Sequence, residues 1–234
     1  MPILYVVATP IGNLGDISQR ALDILGQVDV ILAEDTRTTK NLLAHFGIQK
    51  PIISYHQHSK VSKINEILAM LQDGKNLALV SDAGTPGISD PGNKLVDEIN
   101  KFIALSEAKG GYIDISPIPG PSAITALASV CGFSMDKFLF LGFPPAKNKR
   151  KKFFEEVVSS KYPVIFYESP YRILKTLNEL LAMSSSRNIK ISCVAGRELT
   201  KKFETIYRGS IDEVIEKIKN DPVKGEFVVA ISSQ

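Results

Sequence analysis

Tryptophan is absent from the 234 residues, and only two cysteines and three histidines occur. Cys131 and Cys193 form no C-x-x-C, so no disulfide framework is expected and a reducing, cytoplasmic setting is. No apolar run approaches the roughly 20 residues that a membrane span needs. The opening MPILYVVATPIG has no basic start, and its apolar run is too short for a signal peptide. The common phosphate patterns are missing too. There is no G-x-x-x-x-G-K-[ST], and Gly12 and Gly15 do not complete G-x-G-x-x-G. Without G-x-S-x-G, a hydrolase triad has no foothold. His56-Gln57-His58 sets two imidazoles on one side of an extended segment. Zinc wants three or four ligands, and no other Cys or His lies near in sequence. These histidines read as surface or substrate-facing groups, and no metal is expected.

What is present is ordinary globular composition, 44% hydrophobic and 23% charged, enough for one large domain or two small ones. The net charge of +3 hides an asymmetry. Residues 1–120 hold 10 Lys/Arg against 13 Asp/Glu, whereas residues 121–234 hold 18 against 12. The basic half suits an anionic polymer, unless the difference is chance variation between two solvated surfaces.

Apolar runs alternate with helical spacing. Leu4–Ala8, Val30–Ala33, Ile52–Tyr55, Leu77–Ser81 and Ile113–Ile118 read as strands. Helical faces lie between them: Ile17, Ala21, Leu22 and Leu25; then Leu42, Leu43 and Phe46 behind Thr36 as N-cap; then Val61 to Leu71 with Gly74 at its end. Such a rhythm predicts an α/β fold with a mostly parallel, helix-covered sheet. The second half has strands over Val164–Tyr167, Ile189–Val194, Phe203–Tyr207 and Phe227–Ile231. Helices are expected over Ile173 to Leu181 and Ile211 to Ile218, and the basic, Pro-rich GFPPAKNKRKK (142–152) precedes them. A boundary near residue 120 divides an N-terminal α/β domain (1–120) from a basic C-terminal one (121–234).

Ligands of parallel sheets bind at the carboxyl ends of the strands. Three Gly/Pro-rich loops fall there: TPIGNLGD (9–16), DAGTPGISDPG (82–92) and PIPGPS (117–122). Either they are plain turns, or their glycines let backbone approach a ligand. Asp16, Glu34, Asp35, Asp82 and Asp90 lie among them, which suits a compact ligand with a positive or polar centre; Asp90 before Pro91 reads better as a helix cap.

Taken in order, YVVATPIGNLGDISQRAL, AEDTRTTKNLL, LVSDAGTPGISDPG, PIPGPSAITAL, FYESPYRI and GRELTKKFE closely resemble the ribosomal RNA small subunit methyltransferase I family, within the tetrapyrrole (corrin/porphyrin) methylase superfamily. The likeness runs from about residue 3 to residue 231. It implies a two-domain fold whose second sheet is mixed, with S-adenosylmethionine in the cleft between domains. It further implies 2′-O-methylation of a cytidine in the decoding region of 16S rRNA in the 30S subunit, by a homodimer. Pro10, Ile11 and Gly12 would wall the methionine end, with Asp82, Ala83, Gly84, Thr85, Pro86 and Gly87 as a rim. Ser122 and Ala123 would lie along the cofactor, and Tyr167 and Ala230 would close it.

The reaction displaces neutral sulfur from a methyl group by a ribose hydroxyl, a weak nucleophile that needs a proton acceptor and close orientation. Glu198, Asp35 and Lys201 are the catalytic candidates. Arg37, Lys147, Lys149, Arg150, Lys151, Lys152, Arg172 and Arg197 are expected on RNA phosphates. Each charged group has a structural alternative as an ion-pair partner, Glu198 with Arg172 or Arg197. Two substrate alternatives stay open: a corrin or porphyrin acceptor, and RNA or nucleotide binding without turnover. The family usually reads E-S-P-H-R where this chain has Tyr171, so no imidazole role is carried over. Many members continue past the last strand into a helical extension, whereas this sequence stops at Gln234, and SEAKGGYID (106–114) is longer than the family leads one to expect.

Overall fold

In a computed structural model the chain divides into two compact units, Met1–Ser122 and Ala123–Gln234. The structure describes residues 1–56, 59–90, 92–106, 112–221 and 223–233. His58, Pro91 and the middle of the 106–114 segment lie outside the described residues.

The first unit alternates strand and helix: β1 (Ile3–Val7), α1 (Gln19–Gln27), β2 (Val30–Ala33), α2 (Thr36–His45), β3 (Ile52–Ser54), α3 (Val61–Gln72), β4 (Leu77–Val80), α4 (Gly92–Ser106) and β5 (Asp114–Ile118). The strands form one parallel sheet in the order β3-β2-β4-β1-β5. Connections from β1 to β2 to β3 run toward one edge, and those from β3 to β4 to β5 run back. Right-handed crossovers then place α1 and α2 on one face and α3 and α4 on the other. The cores agree. Ala21, Leu25 and Leu43 pack on Ile31, Ala33, Ala78 and Val80. Ile64, Ile67, Leu71, Leu95 and Ile99 pack on Leu4, Leu32, Leu77 and Leu79. Burial on both faces is why β2 and β4 read as unbroken apolar runs. The cap of α2 differs by one residue from expectation. Asp35, not Thr36, is the N-cap, its carboxylate accepting the Arg37 N–H. Both are good capping residues, and the carboxylate adds a favourable charge at the helix N-terminus.

The second unit contains α5 (Ala123–Val130), β6 (Leu139–Phe140), α6 (Arg150–Ser159), β7 (Val164–Glu168), α7 (Ile173–Ser186), β8 (Ile191–Arg197), β9 (Thr205–Ser210), α8 (Ile211–Lys219) and β10 (Phe227–Ser233). Its sheet is mixed, ordered β6-β7-β10-β8-β9. β6 and β7 are parallel, and the remaining pairs are antiparallel. β8 is therefore antiparallel to both of its neighbours. Yet β7 and β8 both oppose β10, so they run in the same direction. Phe227 of β10 pairs with Glu168 on one side and Arg197 on the other. The blocks ESPYR and RELTK thus leave the sheet at one edge. One face carries the main core, Phe166, Cys193, Val229 and Ile231 under Phe153, Leu177 and Val214. Tyr167 and Ala230 lie on the opposite face, since Tyr167 pairs with Val228 two residues away. Cys131 and Cys193 are both free and buried, and burial pushes the Cys193 thiol up to about 12. Among the described residues no helix is long and apolar enough to cross a membrane.

Candidate active site

β4, β1 and β5 are neighbours, so the loops after them stand side by side at the carboxyl edge of the first sheet. β1 and β4 also leave for helices on opposite faces, the place where parallel sheets open a crevice. Backbone pairing joins the loops. The Thr9 N–H donates to the Gly84 carbonyl at 2.9 Å, and the Gly84 N–H donates to the Thr9 carbonyl at 3.0 Å. Thr9 is buried, and its hydroxyl donates to the Ser81 carbonyl at 3.2 Å. The Thr85 hydroxyl donates to the Pro121 carbonyl at 3.2 Å, bringing in the third loop. Gly84 sits at the junction with φ of +82°, a left-handed conformation that favours glycine. A Cβ there would meet Ile11 Cγ2 at 3.3 Å and the Pro121 carbonyl oxygen at 3.6 Å.

Asp90 is part of this scaffold. Its Oδ1 accepts the Gly87 N–H at 2.6 Å and the Gly92 N–H at 2.9 Å, holding the turn closed as the cap reading anticipated. The other acids shape the charge of the rim. Asp82 accepts the Asp35 N–H at 3.0 Å. The Glu34 carboxyl is raised above its ordinary range, by burial first and then by repulsion from Asp82 and Asp90. Glu34 is one of the acids expected near the ligand, whereas Thr9 is a rim member not singled out within its loop. Thr9 ends an apolar run, the only signal it carries.

Asp35 is held in the opposite sense. The Arg37 side chain binds it through two nitrogens, at 3.1 and 2.7 Å, and this pairing lowers its carboxyl to about 2 from 3.8. A group depressed in this way adds stability above pH 3.8 and loses it as pH falls through about 2. NMR titration is expected to find Asp35 near that value and to find it moved up toward 3.8 in Arg37→Ala. An unmoved titration would show that Arg37 is not the cause. So strongly acidic a carboxylate is a poor proton acceptor, and Arg37 is already engaged by it.

At the edge of the second sheet, Glu198 and Lys201 are 2.9 Å apart. Glu198 Oε1 also accepts the Glu226 N–H at 2.9 Å, and both of these bonds fall on that one oxygen. Gly225 makes room, since a Cβ there would overlap the Glu198 side chain. Burial pushes the Glu198 carboxyl up, but the Glu226 N–H and Lys201 outweigh it and leave it lowered. The backbone is left-handed at Glu198 and at Thr200, with φ of +51° and +68°, costly for a β-branched residue. Arg172 is paired with Glu168, not with Glu198.

Several expected RNA contacts prove structural. Arg150 and Arg197 are each only 8% exposed. Arg150 donates to Glu179, to the Pro145 carbonyl and to the Thr176 hydroxyl, all within the fold. Arg197 donates to the Thr205 hydroxyl and lies against the Tyr207 ring. Arg172 bonds Glu168 at 2.8 Å and the Pro144 carbonyl at 3.1 Å. Lys147, Lys149, Lys151 and Lys152 are exposed. Among the described residues no group of three His, Cys, Asp or Glu is placed to hold a metal ion.

Two sheets of this order, with glycine loops at the carboxyl edge of the first, define a tetrapyrrole-methylase-type protein. The chain matches the Tetrapyrrole (Corrin/Porphyrin) Methylases family over residues 3–215. Two solved structures share the fold. A cobalt precorrin-4 methyltransferase of cobalamin biosynthesis has a TM-score of 0.62 and 18% identity, covering 97% of this chain and 94% of its own. Uroporphyrin-III-C-methyltransferase from Thermus thermophilus has a TM-score of 0.60 and 14% identity, over 98% and 94%. Sequence relatives are much nearer. Proteins named ribosomal RNA small subunit methyltransferase I are 45% identical in Synechocystis sp. (99% of this chain, 79% of the relative), 41% in Thermotoga maritima (99% and 98%) and 43% in Escherichia coli O157:H7 (97% and 77%). The chain belongs to the ribosomal RNA small subunit methyltransferase I family. S-adenosylmethionine is its methyl donor, and the first unit's loops fit such a group. Gly84 has no side chain at the junction of the three loops, Pro10 and Ile11 offer apolar wall, and Glu34 and Asp82 offer negative charge for a sulfonium and an ammonium.

Proposed function

We propose that this protein transfers the methyl group of S-adenosylmethionine to the 2′-hydroxyl of a cytidine in the decoding region of 16S rRNA. The substrate particle is the 30S subunit, the setting is the cytoplasm, and the working form is a homodimer. The observation that carries the reading is identity of 41–45% over nearly the whole chain to relatives named ribosomal RNA small subunit methyltransferase I. The exposed lysines of residues 147–152 suit a phosphate backbone.

The cofactor supplies an electrophilic methyl group. Pro10, Ile11, Gly12, the rim from Asp82 to Gly87, Ser122 and Ala123 would bind and orient it. Glu198 accepts the hydroxyl proton through Oε2, the oxygen that neither Lys201 nor Glu226 engages. Lys201 fixes the carboxylate by holding Oε1. Being lowered, Glu198 is ionised across the neutral range and is a modest base, so orientation supplies much of the acceleration.

Glu198→Gln is expected to slow single-turnover transfer about 10²–10⁴-fold while the melting temperature stays near that of the parent. Its pH–rate profile in the parent should be flat through neutrality and fall only in acid. Near-parental turnover with a depressed melting temperature would assign Glu198 to the scaffold. The position of the methyl group is read after transfer by alkaline hydrolysis. A 2′-O-methyl group blocks attack by that oxygen on its own phosphodiester, so the label should stay in an alkali-resistant dinucleotide beginning with cytidine. Label released in a mononucleotide would place the methyl on a base and overturn the assignment.

A further inference from the structure

Resting on that reading of RNA as the acceptor, we propose that Phe143 and Tyr171 form a stacking platform for an unpaired base of the RNA, beside the lysines of residues 147–152. Both are large, exposed aromatics: Phe143 is 52% exposed and Tyr171 is 96% exposed. Single exposed apolar residues are common and mean little. Here the exposure is built. The segment Gly142–Pro145 is pinned at three points. The Tyr167 N–H donates to the Gly142 carbonyl at 2.9 Å, Arg172 to the Pro144 carbonyl at 3.1 Å and Arg150 to the Pro145 carbonyl at 3.0 Å. Two of the donors are buried or half-buried arginines that are themselves paired with Glu179 and Glu168. Phe143 is therefore held out on a rigid turn, its ring 5.3 Å from that of Tyr167 and tilted by 51°.

Tyr171 belongs to the same construction. It precedes Arg172, whose guanidinium reaches the carbonyl next to Phe143. Tyr171 and Phe143 thus immediately precede the donor and the acceptor residues of one hydrogen bond. Directly after the pinned turn come Lys147, Lys149, Lys151 and Lys152, all exposed, whereas Arg150 among them is turned inward. Exposed aromatic faces near a run of cations are what an unstacked nucleotide needs: a surface for its base and charge for its phosphates. Positive charge at this density favours RNA over an apolar protein partner. In-line attack needs the ribose hydroxyl held in one position against the methyl group, and a platform for a neighbouring unpaired base would fix that position.

The test compares the double variant Phe143→Ala/Tyr171→Ala with the single variant Tyr171→Phe and with the parent. The ligand is 30S subunits reconstituted with 16S rRNA that carries 2-aminopurine beside the target cytidine, and Kd and fluorescence are followed over a salt series. The double variant is expected to bind about 10-fold more weakly or worse. Its log–log salt slope should be unchanged, because no cation is lost, and it should fail to quench the probe. Tyr171→Phe should keep affinity and quenching, since only the ring is needed. Binding of S-adenosylmethionine and the melting temperature should not move in any variant. Unchanged affinity and quenching in the double variant would overturn the platform while leaving the RNA reading intact. A changed slope with retained quenching would also overturn it, making the loss electrostatic. If the parent neither binds nor methylates the RNA, the functional reading fails and the platform with it.

Discussion

Gly84→Val is expected to abolish S-adenosylmethionine binding and leave the sheets folded. Gly84 is the point where all three glycine loops meet, at φ of +82°. Its Cβ position faces Ile11 and the Pro121 carbonyl at 3.3 and 3.6 Å, so a valine's methyl groups have no room short of displacing one of the loops. The left-handed backbone itself costs a non-glycine residue about 1–2 kcal/mol, more for a β-branched one. That is a tolerable loss for the fold and a large one for a pocket walled by these loops. Calorimetry should show affinity reduced at least a hundredfold, with circular dichroism unchanged. Gly84→Ala should fall between, carrying the backbone cost without the bulk. Parental affinity in Gly84→Val would reduce the loop to a plain turn.

Glu168→Ala should be the most destabilising substitution in the second unit. The Glu168 side chain is fully buried at the end of β7. Its Oε1 accepts Arg172 and the Ser169 N–H, both at 2.8 Å, and its Oε2 accepts the Thr176 hydroxyl at 2.6 Å. Thr176 in turn accepts Arg150 at 2.8 Å. Removing the carboxylate leaves three donors without their acceptor and Arg172 without its counter-charge. Loss of one partner from a buried pair costs about 3–5 kcal/mol, and thermal unfolding should fall by roughly 10 °C. Glu168→Gln keeps the shape and one acceptor, so its cost should be smaller. A change under about 1 kcal/mol in Glu168→Ala would mean that the network does not hold the Pro144-Pro145 turn.

This network also marks where sequence reading stops. The first unit was legible because its strands are buried on both faces and its helices on one, which leaves apolar runs of different period. The glycine loops were legible for the same reason, as they end those runs. Strand direction in the second unit was not. Periodicity fixes what Ile191–Arg197 is but not what it pairs with, and the antiparallel pairing of β8 became visible only with the fold. Nor does KNKRKK distinguish its members. Arg150 is buried while its lysine neighbours are exposed, and the difference lies in Thr176 and Glu179, 26 and 29 residues away. The helix α6 was hidden behind two prolines and that basic run. Glu198 was singled out for its block, but its pairing with Lys201 rather than an arginine required the left-handed turn at residues 198–200.

The most direct test of the account is transfer of a labelled methyl group from S-adenosylmethionine, with 30S subunits lacking the modification and a tetrapyrrole offered together as acceptors. The account predicts label in 16S rRNA, approaching one methyl group per particle in a cytidine ribose, and none in the tetrapyrrole. Label in the tetrapyrrole with none in RNA, or binding of the cofactor without transfer to either, would contradict it.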